Sequence, residues 1–421
     1  MLVVGINPWI DNTGINTLIN FFDGWDKNSI AHIYTRAKLP NTHICDKFFR
    51  ISEPKVMQSV IKRNIKTGDA VENTPETDTE SVQENQIYGK KHSELMTLAR
   101  EFVWLLGKWR TKELDKFLDE FDADVLFFPV YSTVYMNRLQ NYIRKRTKKP
   151  VVLYASDDNY SYKSISKTPI SLFSRFWLRI HAKKLFKSAS KIMVIAPKQK
   201  EEYDKLFNTD SVIMTKGIDF SQIPYEEKPL NKPIKMVYTG KLIIGRWLSL
   251  AKIAEALADI NKDETKLELD IYTTDTLTFE QEKSLNRNGC AVKGALKLDE
   301  VQKVQKDADV LVFVESLEDK FKYTARLSFS TKITDYLKNG KCIFAIGDKD
   351  IAPIDYFNRY DSAITATSYN EIGKKLQTLV ENPDLISEYS KKAYECGKEH
   401  HNVELMNKIL VDTIISAKGE N

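Results

Sequence analysis

Short apolar runs alternate with helical periodicity along the whole chain, and this alternation restricts the fold more than any other property of the sequence. The opening run at 2–6 is followed by runs at 125–128, 151–155, 191–195, 236–239, 267–272, 310–314 and 342–346. Runs this short with little polar interruption read as buried strands, and strands separated by helices pair in parallel because each helix carries the chain back along the sheet. The chain is therefore expected to be α/β. With 421 residues and 42% apolar content it can fill two cores. The stretch 220–232, with Pro224, Pro229 and then Pro233, reads as a linker between a first domain, 1–222, and a second, 233–402. A last helix in 403–421 is expected to cross back to the first domain. The segment 66–88 is polar, acidic and without period, and is expected to be a mobile loop.

Two segments carry chemistry. After the run at 236–239 comes the turn Gly-Lys-Leu-Ile-Ile-Gly-Arg, which places Lys241 and Arg246 five residues apart between Gly240 and the helix that follows. Backbone N–H groups in a turn with little side-chain bulk approach phosphate oxygens, and the two cations offset charge that grows on a departing diphosphate. Ser330 or Thr331 is suited to cap a short helix that ends at Gly340. The start of that helix offers unpaired N–H groups and Lys332 adds a full positive charge, which suits a phosphate. Asp335, one turn on, is placed to accept hydrogen bonds from vicinal hydroxyls such as those of ribose. A solvated surface turn and an ordinary capped helix are the plainer alternatives.

These residues resemble the GT-B glycosyltransferases of the large retaining family four, which build bacterial surface polysaccharides. Gly240, Lys241, Leu242 and Arg246 match its Gly-Arg-Leu and following Lys with the two cations exchanged, and Asp335 stands five before Gly340 where the family has a ribose-binding Glu. Ser330, Thr331, Lys332, Asp335, Tyr336 and Leu337 match the branch that reads Ser/Thr-Lys-x-x-Glu-Tyr-Leu. Gly294 falls at the turn beside the base. The stretch 214–219 resembles the Asn-Gly-Ile/Val-Asp sequence that closes the first domain, with Lys216 for Asn, and Gly14 stands alone where many relatives have two glycines. The resemblance implies two Rossmann-like, doubly wound domains facing a central cleft. It implies transfer of a sugar, with retention, from a nucleotide-sugar donor to a saccharide acceptor, expected to be lipid-linked, in capsule or other cell-surface polysaccharide synthesis. Donor binding would fall to Gly14, Gly240, Lys241, Arg246, Gly294, Ser330, Thr331, Lys332 and Asp335. One departure matters: Leu327 occupies the place of a second Glu near the transferred sugar, and Glu315 or Glu318 would serve there only by a different loop path. A nucleotide-sugar epimerase of the same architecture and a non-catalytic sugar-nucleotide-binding subunit are the alternatives.

In the first domain, Asp157 and Asp158 follow the run at 151–155 and would meet the acceptor. One carboxylate is a candidate for binding hydroxyls or assisting deprotonation, the other for capping the turn. Tyr131 is a further candidate at the acceptor side. Charge is uneven, +7 over residues 1–230 and −2 over the remainder. From Arg138 to Lys200 only Asp157 and Asp158 oppose sixteen Lys or Arg. Arg175, Arg179, Lys183 and Lys187 recur at four-residue spacing, with Phe173, Phe176, Trp177, Ile180 and Leu185 elsewhere around the cylinder. That pattern suits an amphipathic helix resting on an anionic membrane through Arg175, Arg179 and Lys183, the alternative being a helix whose aromatics pack on their own core. No nucleic-acid-binding motif accompanies the charge.

The four cysteines have no paired spacing and no signal sequence precedes the first strand, which points to a reducing cytoplasm. The six histidines show no zinc spacing with them. Asp-x-Asp occurs at 122–124 and 348–350, but Lys241, Arg246 and Lys332 already supply the charge a cation would give, so transfer without metal or other cofactor is expected.

Overall fold

The computed structural model describes residues 1–11, 17–74 and 93–419. They fall into two compact units, the first comprising Met1–Ile195, Lys200–Met214 and Asn407–Asn421, the second Ala196–Gln199 and Thr215–Met406.

The sheet of the first unit contains β1 (Leu2–Val4), β2 (Ala31–Tyr34), β3 (Lys47–Ile51), β4 (Gly68–Val71), β5 (Leu126–Pro129), β6 (Val151–Ala155), β7 (Lys191–Val194) and β8 (Val212–Ile213). Their order is β4-β3-β2-β1-β5-β6-β7-β8, and every pair is parallel except β3 with β4. All residues of β1, β2, β5 and β6 are buried, as expected of strands covered on both faces. The strand order reverses between β1 and β5, the place where open α/β sheets leave a crevice at their carboxyl ends.

Residues 68–71 form a strand where the sequence suggests a mobile loop beginning at 66. Arg50 on β3 is buried and its guanidinium needs partners, which it finds in Asp69 at 3.2 Å and the Ala37 carbonyl at 2.9 Å. Gly68 leaves room for the Phe49 ring, which a Cβ would meet at 2.8 Å. Cross-strand neutralisation thus orders a polar segment. Residues 75–88 of that expected loop lie outside the described residues.

The second unit carries β9 (Ile234–Thr239), β10 (Leu267–Tyr272), β11 (Cys290–Gly294), β12 (Val310–Val314), β13 (Cys342–Ile346) and β14 (Ile364–Ala366). Their order is β11-β10-β9-β12-β13-β14, parallel throughout, with the reversal between β9 and β12. Met236, Tyr238, Val310, Val312, Phe344 and Ile346 join helix residues such as Leu250, Ile253 and Leu376 in one core. The stretch expected as a linker is packed within this unit: Ile218 and Phe220 lie against Tyr394, whose hydroxyl donates to the Ile223 carbonyl at 2.7 Å. The closing helix is Val403–Gly419, and its residues from Asn407 onward belong to the first unit, where Lys418 pairs with Asp124 at 3.1 Å. Among the described residues no helix is long and apolar enough to cross a membrane.

Candidate active site

The carboxyl ends of β9 and β12 meet at the reversal of the second sheet. After β9 the chain passes Gly240, whose N–H donates to the Tyr272 carbonyl at 2.9 Å. It then turns tightly, with Ile244 at φ 59° and Gly245 at φ 72°. A β-branched residue in the left-handed region is a genuine outlier and such strain gathers at functional sites. Gly245 is constrained by space as well, because a Cβ there would lie 2.6 Å from the Ser316 hydroxyl. The turn delivers Arg246 as the first residue of the helix Arg246–Ile260.

Glu315 follows β12 directly and is buried. Arg246 grips it with Nη2 at 2.9 and 3.0 Å and Nε at 3.2 Å. This pair was not derivable from either motif. Its signal in the sequence is an acid that ends a wholly apolar strand, Val-Leu-Val-Phe-Val, at the edge where parallel sheets bind ligands.

The helix Thr331–Asn339 is capped by Ser330, whose hydroxyl accepts from the Lys332 N–H at 3.4 Å, and it ends at Gly340 in the left-handed region at φ 57°. Lys332 sends its side chain back over the turn after β9. A Cβ on Gly240 would fall 1.9 Å from Lys332 Nζ, so only glycine leaves the ammonium its place. That ammonium lies 5.3 Å from the centre of the Tyr238 ring and has no carboxylate partner among the described residues. Burial, with the Arg246 charge adding to it, pulls its pKa down to about 8. Tyr238, Arg246, Glu315, Ser330 and Lys332 line a cavity of about 70 Å³ against β12. Two cations and one already engaged carboxylate leave it with excess positive charge beside a helix N-terminus.

The other candidates stand around or away from this cavity. Lys241 and Thr331 are exposed. The Lys241 backbone is fixed by its carbonyl, which accepts from the Tyr238 hydroxyl at 2.7 Å. Asp335 is paired with Lys216 at 2.8 Å. Gly294 ends β11 at the sheet edge with φ 87° and open space where a Cβ would be, so close packing does not demand glycine there. Leu327 is wholly buried, and Glu318 accepts from the Tyr369 hydroxyl at 2.7 Å. Gly14 lies outside the described residues. Of the Asp-x-Asp pairs, Asp122 meets Lys149 at 2.8 Å, Asp124 meets Lys418, and Asp348 accepts from the Asp350 N–H at 2.8 Å.

In the first unit Tyr131 sits at the reversal between β1 and β5, where its hydroxyl accepts from the Ile6 N–H at 3.4 Å and burial pushes its pKa up to about 12. Asp157 is exposed, whereas Asp158 is buried and turned into its own loop, accepting from the Ser161 N–H at 2.8 Å, the Tyr160 N–H at 3.4 Å and the Ser161 hydroxyl. The reading of Arg175 and Arg179 as membrane-facing is corrected. Arg175, on the helix Pro169–Phe186, is 7% exposed and donates to the Asp158 carbonyl at 3.0 Å. Arg179 donates to the Tyr160 carbonyl at 3.0 Å and lies over the Tyr160 and Tyr162 rings at 4.1 and 4.7 Å. Two guanidinium forks therefore satisfy carbonyls of an irregular loop from within, and only Lys183 of the three is exposed.

Solved structures share this architecture. Sucrose-phosphate synthase from Thermosynechococcus elongatus aligns with a TM-score of 0.64 and 10% identity over 100% of both chains. HepE from Anabaena in complex with UDP aligns with a TM-score of 0.60 and 11% identity over 99% of both. TarM aligns at 0.53 and 12% identity over 71% of this chain, which spans 57% of TarM's own length. These proteins are GT-B glycosyltransferases, and the fold they share with this chain is the two-sheet GT-B architecture that the resemblance implies, its sheets being the wound parallel ones expected from the alternating pattern. No protein-family model and no curated protein matches the sequence.

Proposed function

We propose that the chain is a glycosyltransferase that moves a sugar from a nucleotide-sugar donor to a saccharide acceptor. The observation that carries this reading is Lys332, a half-buried ammonium that among the described residues has no carboxylate at ion-pair distance, Glu315 in the same cavity being held by Arg246, at a helix N-terminus and over a glycine turn. Leaving a cation so is unfavourable unless an anion fills the site, and the developing charge of a departing diphosphate is such an anion. HepE, which shares the fold, is known in complex with UDP and with UDP-glucose, so UDP is the natural first probe. In this reading Lys332 and Arg246 hold the diphosphate, Lys241 swings in from solvent, and Asp335 exchanges Lys216 for ribose hydroxyls. Gly240 permits the approach, and Ser330 and Thr331 orient the helix start. Asp157 meets the acceptor, while Asp158 and Tyr131 shape its surroundings. Transfer proceeds with retention and without a metal ion, the cations supplying the charge, and the acceptor is a lipid-linked saccharide of cell-surface polysaccharide synthesis.

Leucine at position 327 favours one competing reading, a sugar-nucleotide-binding subunit without catalysis. Donor turnover measured with and without a panel of saccharide acceptors separates the two. Transfer to an acceptor supports the proposal. UDP binding without turnover on any acceptor supports the subunit, and no binding of any nucleoside diphosphate removes both.

A further inference from the structure

The helix Pro169–Phe186 turns its arginines inward and Phe173 and Phe176 outward, while Phe186 at its end is buried. Its exposed stripe is Phe173, Phe176, Ile180, Lys184 and Lys187, separated by three, four, four and three residues, which follows one line along a helix and past its end. Phe173, Phe176 and Ile180 are 49%, 55% and 41% exposed. The helix Glu94–Leu106 lies alongside, with Phe102 and Trp177 ring centres 5.6 Å apart, and adds exposed Leu95, Met96, Phe102, Leu105 and Leu106. Large apolar side chains gathered on a water-facing surface mark an interaction site.

We infer that this two-helix face of the first unit docks on an anionic lipid bilayer, with the aromatic stripe in the headgroup boundary and Lys183, Lys184 and Lys187 against lipid phosphates. The charge pattern selects this occupant over a second copy of the chain. Residues 169–187 contain no acid, and on the neighbouring helix Glu101 is buried while Glu94 is held by the hydroxyls of Ser166 and Thr168. A second copy docked through the same helices would bring lysines that no carboxylate of those two helices is free to answer. A bilayer does answer them, and its headgroup boundary suits a helix of 18 residues lying flat. The inward face of the same helix holds the loop of Asp157 and Asp158 through Arg175 and Arg179, so the candidate acceptor carboxylates lie about one helix diameter, roughly 10 Å, from the bound lipid. This proximity deepens the glycosyl-transfer reading by favouring a lipid-linked acceptor; the docking itself is measured without activity.

The test is co-sedimentation of the full chain with phosphatidylcholine vesicles with and without phosphatidylglycerol. Binding to the anionic vesicles, release by salt, and a loss of at least tenfold in Phe173→Ser/Phe176→Ser are expected. At about 1 kcal/mol for each basic residue at the surface, Lys184→Glu/Lys187→Glu weakens partition by about thirtyfold or more. Thermal unfolding of each variant near the parent's shows that the fold is retained. No partition, equal partition onto both vesicles, or undiminished partition of the phenylalanine variant overturns the inference. So does a dimer that this variant dissolves without any vesicle binding, which assigns the stripe to a second copy. Failure of UDP to bind would strike the functional proposal and leave the vesicle result standing.

Discussion

Arg246 and Glu315 close the candidate site by holding one another through three contacts of 2.9 to 3.2 Å across 69 residues of sequence. The pair is largely buried, which changes what a substitution at either residue measures. Arg246→Ala strands a carboxylate and is expected to destabilise the second unit by about 3 kcal/mol as well as to abolish transfer. Arg246→Ala with Glu315→Gln should recover much of that stability and none of the activity. Denaturant unfolding run beside turnover distinguishes the two effects, and a double variant with restored turnover would show that Arg246 only neutralises Glu315.

Lys332 makes binding and stability respond to pH in opposite senses. Its pKa is depressed to about 8 in the folded chain against an ordinary 10.5. The diphosphate requires the charged form, so UDP affinity should fall about tenfold per pH unit above 8. Between about 8 and 10.5 the unfolded chain keeps a proton that the folded chain has released, so this residue's contribution to stability rises with pH over that window. Calorimetric titration of UDP across the window checks the first effect, and Lys332→Met should flatten it. A pH-independent affinity in the parent would remove Lys332 from the binding step.

The Lys216–Asp335 pair is half-exposed and worth about 1 kcal/mol or less. If Asp335 exchanges this partner for ribose hydroxyls, Lys216→Ala tightens UDP binding by up to about fivefold, the equivalent of that 1 kcal/mol. Asp335→Asn weakens it without reshaping the pH–rate profile. Equal affinities for the parent and Asp335→Asn would exclude contact with the ribose.

The adjacent acids of the first unit should separate by kind of damage. Asp158→Ala removes the acceptor of the Ser161 and Tyr160 N–H groups and is expected to cost about 1–3 kcal/mol of stability. Asp157→Asn should leave the melting temperature unchanged and lower turnover at saturating donor. An unchanged turnover would take Asp157 out of the acceptor site.

Alternation of apolar runs and helices was enough to read two wound sheets through β1, β5, β6, β7, β9, β10, β12 and β13, whose burial leaves an apolar run, while β2, β3, β8, β11 and β14 were not read. The glycine turn and the Ser330 cap were legible for the same reason: local backbone demands restrict local residue choice. What stayed hidden depends on contacts distant in sequence. Helical spacing identified a two-faced helix over 171–187, but not that the Asp158 and Tyr160 carbonyls would draw its arginines inward. The strand at 68–71 was equally opaque, since a polar segment pairs there only because buried Arg50 needs Asp69. Nor did position 216, read only as a departure from Asn, disclose a cation for Asp335 119 residues away.

That short strand has a colloidal consequence. A parallel sheet that ended at β3 would present a five-residue ladder of unpaired N–H and C=O groups, open to any passing strand. Instead, among the described residues, the sheet ends in four-residue β4, reversed in direction and carrying a glycine and an acid, and on its far side in two-residue β8. Both margins are poor templates for fibrillar growth. When this protein self-associates in the absence of its proposed lipid, the contacts should be amorphous and reversible by mild detergent, formed by helix side chains and not by backbone.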